Sequence, residues 1–169
     1  ILVSLMFVFG SFIGIISGYI GGLFDNIVMR IVDVFLAFPS LVLAIAVAGV
    51  LGGGMINAMI AIGVIGWTKY ARLARSEVLE IKEETFIKAA RLSGNSSMYI
   101  VFKHIIPRVL STLIVTASLD IGTTIMEMAA LSFLGLSSPL PIPEWGAMMN
   151  EGKSMIQFAP WITIAPGIA

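Results

Sequence analysis

The sequence contains no cysteine and a single histidine, His104. Without a thiol the chain can form no disulfide framework, no cysteine-ligated zinc site and no thiol nucleophile. One histidine makes neither a transition-metal site nor a catalytic relay by itself, so we expect a structural or interface role for His104. No Ser-His-Asp set, paired acidic site or metal-ligand cluster occurs at a recognisable spacing. These absences argue against an enzyme.

Charge is also scarce. Charged residues make up 12% of the chain, whereas soluble domains have roughly 25%. The mean hydropathy is +1.01, which is typical of a multi-pass membrane protein. Ten basic residues balance ten acidic ones, and this balance gives no support for nucleic-acid binding. We therefore expect the lipid bilayer, and no nucleic acid, as a partner.

The pattern of apolar runs predicts an all-α, polytopic helical bundle in one membrane domain. The first and last residues lie inside apolar runs, and there is no initiator Met, so we expect a domain truncated at both ends. A helix needs roughly 20 apolar residues to cross the bilayer. The predicted spans are about 1–20, 39–51, 55–69, 109–136 and 159–169.

Polar segments connect these predicted spans. Residues 25–38 have an amphipathic helical spacing, which predicts an interfacial helix that ends at Pro39. A polar helical loop covers about 70–107, and we expect Pro107 to end it. A second loop covers about 137–158, with three spaced prolines followed by a short amphipathic piece from about 147.

Small residues recur along the first predicted span at every fourth position. Such a spacing leaves a bare stripe on which a second helix can pack closely. We therefore predict helix packing along Gly10, Gly14, Gly18 and Gly22.

The basic residues determine the expected orientation. If the loop at 70–107 is cytoplasmic, alternating crossings leave only Lys153 of the ten basic residues outside. This distribution obeys the positive-inside rule, and the opposite orientation violates it.

The polar loop carries a recognisable motif. Lys88-Ala89-Ala90 is followed by Gly94 and then by the run from Lys103 to Pro107, Lys-His-Ile-Ile-Pro. Phe86 offers an aromatic anchor, Gly94 permits the positive φ of a helix end, and the Asn-Ser-Ser that follows can cap the next helix. This pattern resembles the EAA loop of the inner-membrane permease subunits of binding-protein-dependent ABC importers.

The resemblance covers nearly the whole chain. Residues 28–43 and 131–152 also look like the dipeptide, oligopeptide and nickel branch of that family, although the family usually has Glu where this chain has Lys88. The resemblance implies a type I importer permease fold with a short cytoplasmic coupling helix. It assigns ATPase coupling to Glu84, Phe86, Lys88, Ala89, Ala90, Arg91, Gly94, Lys103, His104 and Pro107.

The same resemblance implies an integral, multi-pass protein of the cell inner (plasma) membrane with four partner subunits. These are a homologous permease, two cytoplasmic ATP-binding subunits and an extracytoplasmic substrate-binding protein. Gly152-Lys153-Ser154 is not a nucleotide-binding loop, because Ala147 stands where the motif requires glycine. We therefore expect no cofactor in this chain, with ATP and magnesium used by the partner subunits. Dipeptides, oligopeptides, nickel and nickel chelates all remain open as cargo.

Two acidic residues fall within the span predicted at 109–136. Asp120 and Glu127 are seven residues apart and so share a helix face. Ionisable groups at membrane depth usually face a bundle interior or a water pathway. We predict a translocation pathway at Asp120, Met126, Glu127 and Met128. The alternative is that the acidic groups only brace the bundle. An ion-gradient-driven transporter or channel that uses both carboxylates is the rival function.

Overall fold

A computed structural model of the chain describes residues 1–137 and 144–168. All regular structure in these residues is helical, which confirms the predicted all-α class. The α-helices are α1 (Leu2–Ile20), α2 (Gly22–Leu36), α3 (Ser40–Val50), α4 (Met55–Lys82), α5 (Thr85–Leu92), α6 (Ser97–Ile100), α7 (Ile106–Phe133), α8 (Trp145–Gly152) and α9 (Trp161–Ile168).

The chain divides into two compact units. The first comprises Ile1–Ala37 and Gly66–Asp120, and the second comprises Phe38–Ile65 and Ile121–Ala169. The first unit contains α1, α2, α5, α6, the second part of α4 and the first part of α7. The candidate coupling loop therefore belongs to the first unit.

Two helical runs among the described residues are long and apolar enough to cross a membrane. They are Leu2–Ile20 and the continuous run Ser97–Phe133. The α2 and α3 helices pass the same criterion together but are bent at their break, so the number is three if this pair forms one span. The spans at 55–69 and 159–169 are not among these candidates and stay predictions.

The packing of α1 on α4 confirms most of the predicted glycine stripe. A Cβ atom added at Gly10 or Gly14 would lie closer than 3.0 Å to a backbone carbonyl oxygen of α4. At Gly18 it would lie 3.0 Å from the Arg75 carbonyl oxygen. Only a residue without a side chain allows the two backbones to approach this closely.

Gly22 does not belong to the stripe, and its inclusion was wrong. The first helix ends at Ile20, and Gly21 and Gly22 both adopt positive φ, at 69° and 64°. A Cβ atom at Gly22 would meet nothing within 4 Å. Gly22 is the first residue of α2, so the four-residue spacing no longer places it on the face of α1 that packs on α4.

Replacing Gly14 with valine should destabilise the first unit. The new side chain would overlap the Ala71 carbonyl and the Ala74 side chain, and overpacking of this kind costs about 1–3 kcal/mol. Thermal unfolding of the detergent-solubilised protein measures the change. Gly122→Val is the matched control, because that glycine has nothing within 4 Å; equal stability of the two variants would contradict the packing role.

The α4 helix runs without a break from Met55 to Lys82, so it extends past the end of the span predicted at 55–69. Tyr70, Ala71, Ala74 and Val78 are fully buried at helical spacing on one face of this extension. Burial of this face stabilises the helix beyond the point where the composition becomes polar. The change in composition therefore marks no change in secondary structure.

The role expected for Pro107 as a helix end was wrong as well. It lies in the first turn of α7, directly after the π-helical segment Val101–Ile105, and the helical run from Ser97 to Phe133 is continuous. A π-turn is wider than an α-turn, and this gives the proline ring room that an ordinary helix interior lacks. The helix thus begins before the predicted 109 and ends before 136.

The second unit contains the glycine turn between α3 and α4 and the helices that follow α7. Gly52, Gly53 and Gly54 all have positive φ, and the Gly54 N–H donates to the Leu136 carbonyl oxygen at 3.1 Å. The amphipathic piece expected from about 147 to 158 is in fact the α-helix α8, followed by a short 3₁₀ turn at Lys153–Met155. Residues 138–143, in the predicted proline-rich loop, and Ala169 lie outside the described residues.

Candidate functional site

The start and the end of the α5 helix are both well defined. It starts at Thr85, three residues after α4 ends, and stops at Leu92. Gly94 adopts a φ of 81°, and the Asn95 N–H and side-chain amide both donate to the Ala90 carbonyl oxygen, at 3.3 and 3.0 Å. This φ value confirms the positive φ predicted at Gly94. A glycine after the last helical turn commonly ends a helix.

Ser96 caps the helix that follows. Its Oγ accepts a hydrogen bond from the Tyr99 N–H at 3.3 Å. This bond satisfies one of the free donors at a helix start, and it confirms the capping role predicted for the Asn-Ser-Ser segment. The connection between α5 and α6 is therefore held by local hydrogen bonds at both ends.

An aromatic cluster joins α5 to the helical run that begins at α6. The His104 ring lies 5.8 Å from Phe86 and 5.9 Å from Tyr99, both edge-to-face. The Arg108 guanidinium lies 4.9 Å from the centre of the Phe86 ring and pairs with the Glu84 carboxylate at 2.6 Å. The structure thus brings Glu84, Phe86 and His104 together. Edge-to-face ring contacts and cation–π contacts stabilise such a cluster.

Sequence reasoning missed two members of this cluster. Tyr99 carried no assigned role, and Arg108 entered only the count of basic residues. The spacing of His104 and Arg108, one helical turn apart on the same face, was the available signal for Arg108. Tyr99 lies five residues before His104 across the π-segment, and no regular helix period predicts that alignment.

The remaining loop residues form an exposed surface. Ile87 is fully buried and fixes α5 on the first unit, while Leu92 is 90% exposed and Met98 and Phe102 are exposed as well. The predicted coupling residues that are exposed or half-buried on this surface are Lys88, Ala89, Ala90, Arg91, Lys103 and Pro107. Large apolar side chains next to basic ones suit contact with another protein.

Lys88 pairs with a neighbour in the same loop. Its Nζ lies 2.9 Å from a carboxylate oxygen of Glu83. The hydrogen bond from Lys88 lowers the pKa of the Glu83 carboxyl. Both groups are exposed, so the pair contributes little to folding, and the Lys88 side chain stays accessible to a partner.

Three basic residues on α4 pair with acidic residues of other helices in the first unit. Lys69 Nζ lies 2.5 Å from Asp120 Oδ1 on α7. Arg72 pairs with Asp33, and Arg75 pairs with Asp25 at 2.6 Å, both on α2. Sequence reasoning used these basic residues only for orientation; their spacing of three along one helix was the signal that they share a face.

The residues predicted for a pathway have different surroundings. Asp120 is 7% exposed and lies in the first unit, paired with Lys69. Glu127 is half-buried in the second unit and accepts a hydrogen bond from Ser40 Oγ at 3.3 Å. Met126 is exposed and Met128 half-buried. The pairing of Asp120 favours bracing of the helices, and a pathway role for the four residues stays a prediction.

Residues 10–169 match the family model described as the binding-protein-dependent transport system inner membrane component. The chain is 45% identical over 162 residues to the dipeptide transport system permease protein DppC of Alkalihalophilus pseudofirmus, covering 96% of this chain and 53% of the relative. It is 43% identical over 169 residues to the glutathione transport system permease protein GsiD of Pectobacterium atrosepticum, covering 100% of this chain and 56% of the relative.

The chain spans about half the length of the curated relatives it matches. The family match extends over almost all of its residues and includes α4, the α5 loop and α7. These findings confirm the resemblance to importer permeases of the peptide branch that the loop motif indicated. The chain belongs to the family of binding-protein-dependent transport system inner membrane components.

Proposed function

We propose that this chain is a permease subunit of a peptide ABC importer and that the α5 loop couples it to ATP hydrolysis in partner subunits. The observation that carries the proposal is α5 itself, a short helix that follows directly on the end of α4 and is seated by Ile87. Its exposed face presents Lys88, Ala89 and Leu92. A short exposed helix of this kind suits a groove on a partner protein.

The proposed assembly contains a related permease, two ATP-binding subunits and an extracytoplasmic substrate-binding protein. Two observations support it: the family is defined by dependence on a binding protein, and the Gly152-Lys153-Ser154 segment lacks the first glycine of a nucleotide-binding loop. ATP and magnesium belong to the ATP-binding subunits in this proposal. The chain contributes helices that rock between inward-open and outward-open arrangements when α5 moves.

The EAA-type role of the loop rests on the aromatic cluster as well as on the sequence motif. Phe86 and His104 are in contact, and Arg108 bridges the Phe86 ring and the Glu84 carboxylate. These contacts tie α5 to the helical run that continues as α7. A displacement of α5 by an ATPase is therefore passed to a membrane helix as well as to α4.

Peptides are the proposed cargo, and the relatives support them over nickel because they are named for dipeptide and glutathione transport. The test measures uptake of dipeptide, glutathione and Ni²⁺, each supplied separately, by the full-length complex with its binding protein. We expect uptake of the peptides and no uptake of Ni²⁺. Uptake of Ni²⁺ alone would identify nickel as the cargo.

Replacing Gly94 with valine should weaken recovery of the ATPase and lower transport while leaving membrane insertion intact. A Cβ atom at Gly94 meets nothing within 4 Å, so the effect comes from the positive φ and not from a clash. A β-branched residue held at such a φ costs about 1–3 kcal/mol. Co-purification of the ATPase with the full-length protein measures docking.

Gly94→Asn is the matched control, since asparagine tolerates the left-handed conformation that valine avoids. We expect this variant to retain most of the ATPase recovery. If ATPase recovery and transport of Gly94→Val equal those of the unchanged chain, the coupling assignment of the loop is wrong.

A further inference from the structure

The carboxylate of Asp25 joins three helices of the first unit. Its Oδ1 accepts a hydrogen bond from Ser17 Oγ of α1 at 2.6 Å. Its two oxygens also accept from Arg75 of α4, with Nε to Oδ1 at 3.0 Å and Nη2 to Oδ2 at 2.6 Å. Asp25 itself lies in the first turn of α2. One side chain thus connects α1, α2 and α4 at a single point.

This contact is better shielded from solvent than the other ion pair between α2 and α4. The side chain of Asp25 is 8% exposed and that of Arg75 is 33% exposed, whereas Arg72 and Asp33 are both half-exposed. Arginine and carboxylate match each other in a bidentate, planar geometry that fixes orientation as well as distance. A buried pair of this kind is weak evidence for stability, and its best-attested use is to specify one arrangement of helices.

The position of Arg75 along α4 connects the pair to the coupling loop. It lies seven residues, about two helical turns, before Lys82, and α5 begins at Thr85. Over these turns α4 is also held on α1: Lys82 Nζ donates to the Tyr19 carbonyl oxygen at 2.8 Å, and Gly18 allows close contact with the Arg75 backbone. A force applied at α5 therefore reaches α1 and α2 through this end of α4.

We propose that Asp25 and Arg75 are positioning residues for ATP-coupled transport, which keep α2 in register with α4 when α5 moves. The inference rests on the proposed function and adds two residues that lie outside the coupling loop. Without the pair, α4 moves with the ATPase and α2 does not follow it in a fixed orientation. ATP hydrolysis then continues while fewer substrate molecules cross for each ATP consumed.

The experiment compares four variants of the pair and one control variant of the full-length chain in the reconstituted importer with its binding protein. Arg75→Gln and Asp25→Asn each remove one charge, and the double variant removes both. Arg75→Lys keeps the charge but loses the bidentate geometry. Arg30→Gln on α2 is the matched control, because Arg30 is exposed. The readouts are thermal stability, ATP hydrolysis, and substrate taken up per ATP hydrolysed.

We expect uptake per ATP to fall by about five-fold or more in the two single variants and the double variant, the lower end of usual coupling between sites. ATP hydrolysis should change much less, and Arg30→Gln should match the unchanged chain. The double variant should be at least as stable as either single variant, since it leaves no unpaired buried charge. Arg75→Lys should show an intermediate ratio.

Recovery of both stability and uptake per ATP in the double variant would show that the pair is only structural and would overturn the inference. An unchanged ratio in all the variants would also overturn it. If the neutral variants do not assemble, Arg75→Lys decides the question, and a normal ratio there refutes the inference. Transport by the unchanged chain without ATP would refute the proposed function instead, so the two failures are distinguishable.

Discussion

Uptake by the reconstituted importer is expected to require ATP and to continue when the pH gradient is collapsed. The measurement uses proteoliposomes that contain the full-length complex, with ATP and the pH gradient varied independently. An ATP-driven permease carries no coupling proton, so removal of the gradient should leave the rate unchanged. Omission of ATP should abolish uptake. This is the largest effect that we expect from a single change of conditions.

Substitution of the two acidic residues of α7 separates this mechanism from the rival one. If Asp120 or Glu127 carried a coupling proton, neutral variants should lose uptake and its dependence on the gradient, because the titrating group is gone. If they brace helices, Asp120→Asn should lower stability or rate through the loss of its pair with Lys69. Glu127→Gln should have a smaller effect, since glutamine can still accept the hydrogen bond from Ser40.

Ser118→Ala serves as the control on the same helix. Its hydroxyl is exposed and donates to the Ile114 carbonyl oxygen of its own helix, so we expect unchanged uptake. Transport that proceeds without ATP and stops when the gradient is collapsed would refute the proposed function, whatever the two carboxylate variants do.

Cysteines placed at Ser76 and Ser96 should be shielded from an impermeant maleimide added outside intact cells, whereas a cysteine at Ser154 should be labelled. The chain has no natural cysteine, so the label reports only the introduced thiol. All three serines are exposed in the structure, so a lack of labelling reflects the membrane and not burial in the protein. The expected contrast is complete, since the reagent does not cross the bilayer.

Permeabilised cells provide the control for this experiment. Cysteines at all three positions should be labelled once the reagent can reach both sides. Labelling of Ser76→Cys and Ser96→Cys in intact cells, together with protection of Ser154→Cys, would reverse the orientation. It would also remove the α5 loop from the side where an ATPase could bind.

Features governed by near neighbours in the chain could be predicted from the sequence. The positive φ of Gly94 and the cap at Ser96 were both predicted, because helix ends are stabilised by residues within one turn. The glycine stripe was predicted correctly at Gly10, Gly14 and Gly18, since small residues at a four-residue spacing mark a close-packing face. The prediction was wrong at Gly22, because α1 ends before the turn at Gly21 and Gly22 no longer lies on that helix.

The sequence alone determined the helical class and the membrane character, because composition and local periodicity carry those properties. It also supplied the motif from which we propose the coupling loop. The tertiary structure decided which charged residues meet. Nothing in the spacing along the chain indicates that Asp25 pairs with Arg75 or Asp120 with Lys69, which are 50 and 51 residues apart. The structure also decided that the helix continues through Pro107. Both outcomes depend on contacts between distant segments, which form only when the helices pack against one another.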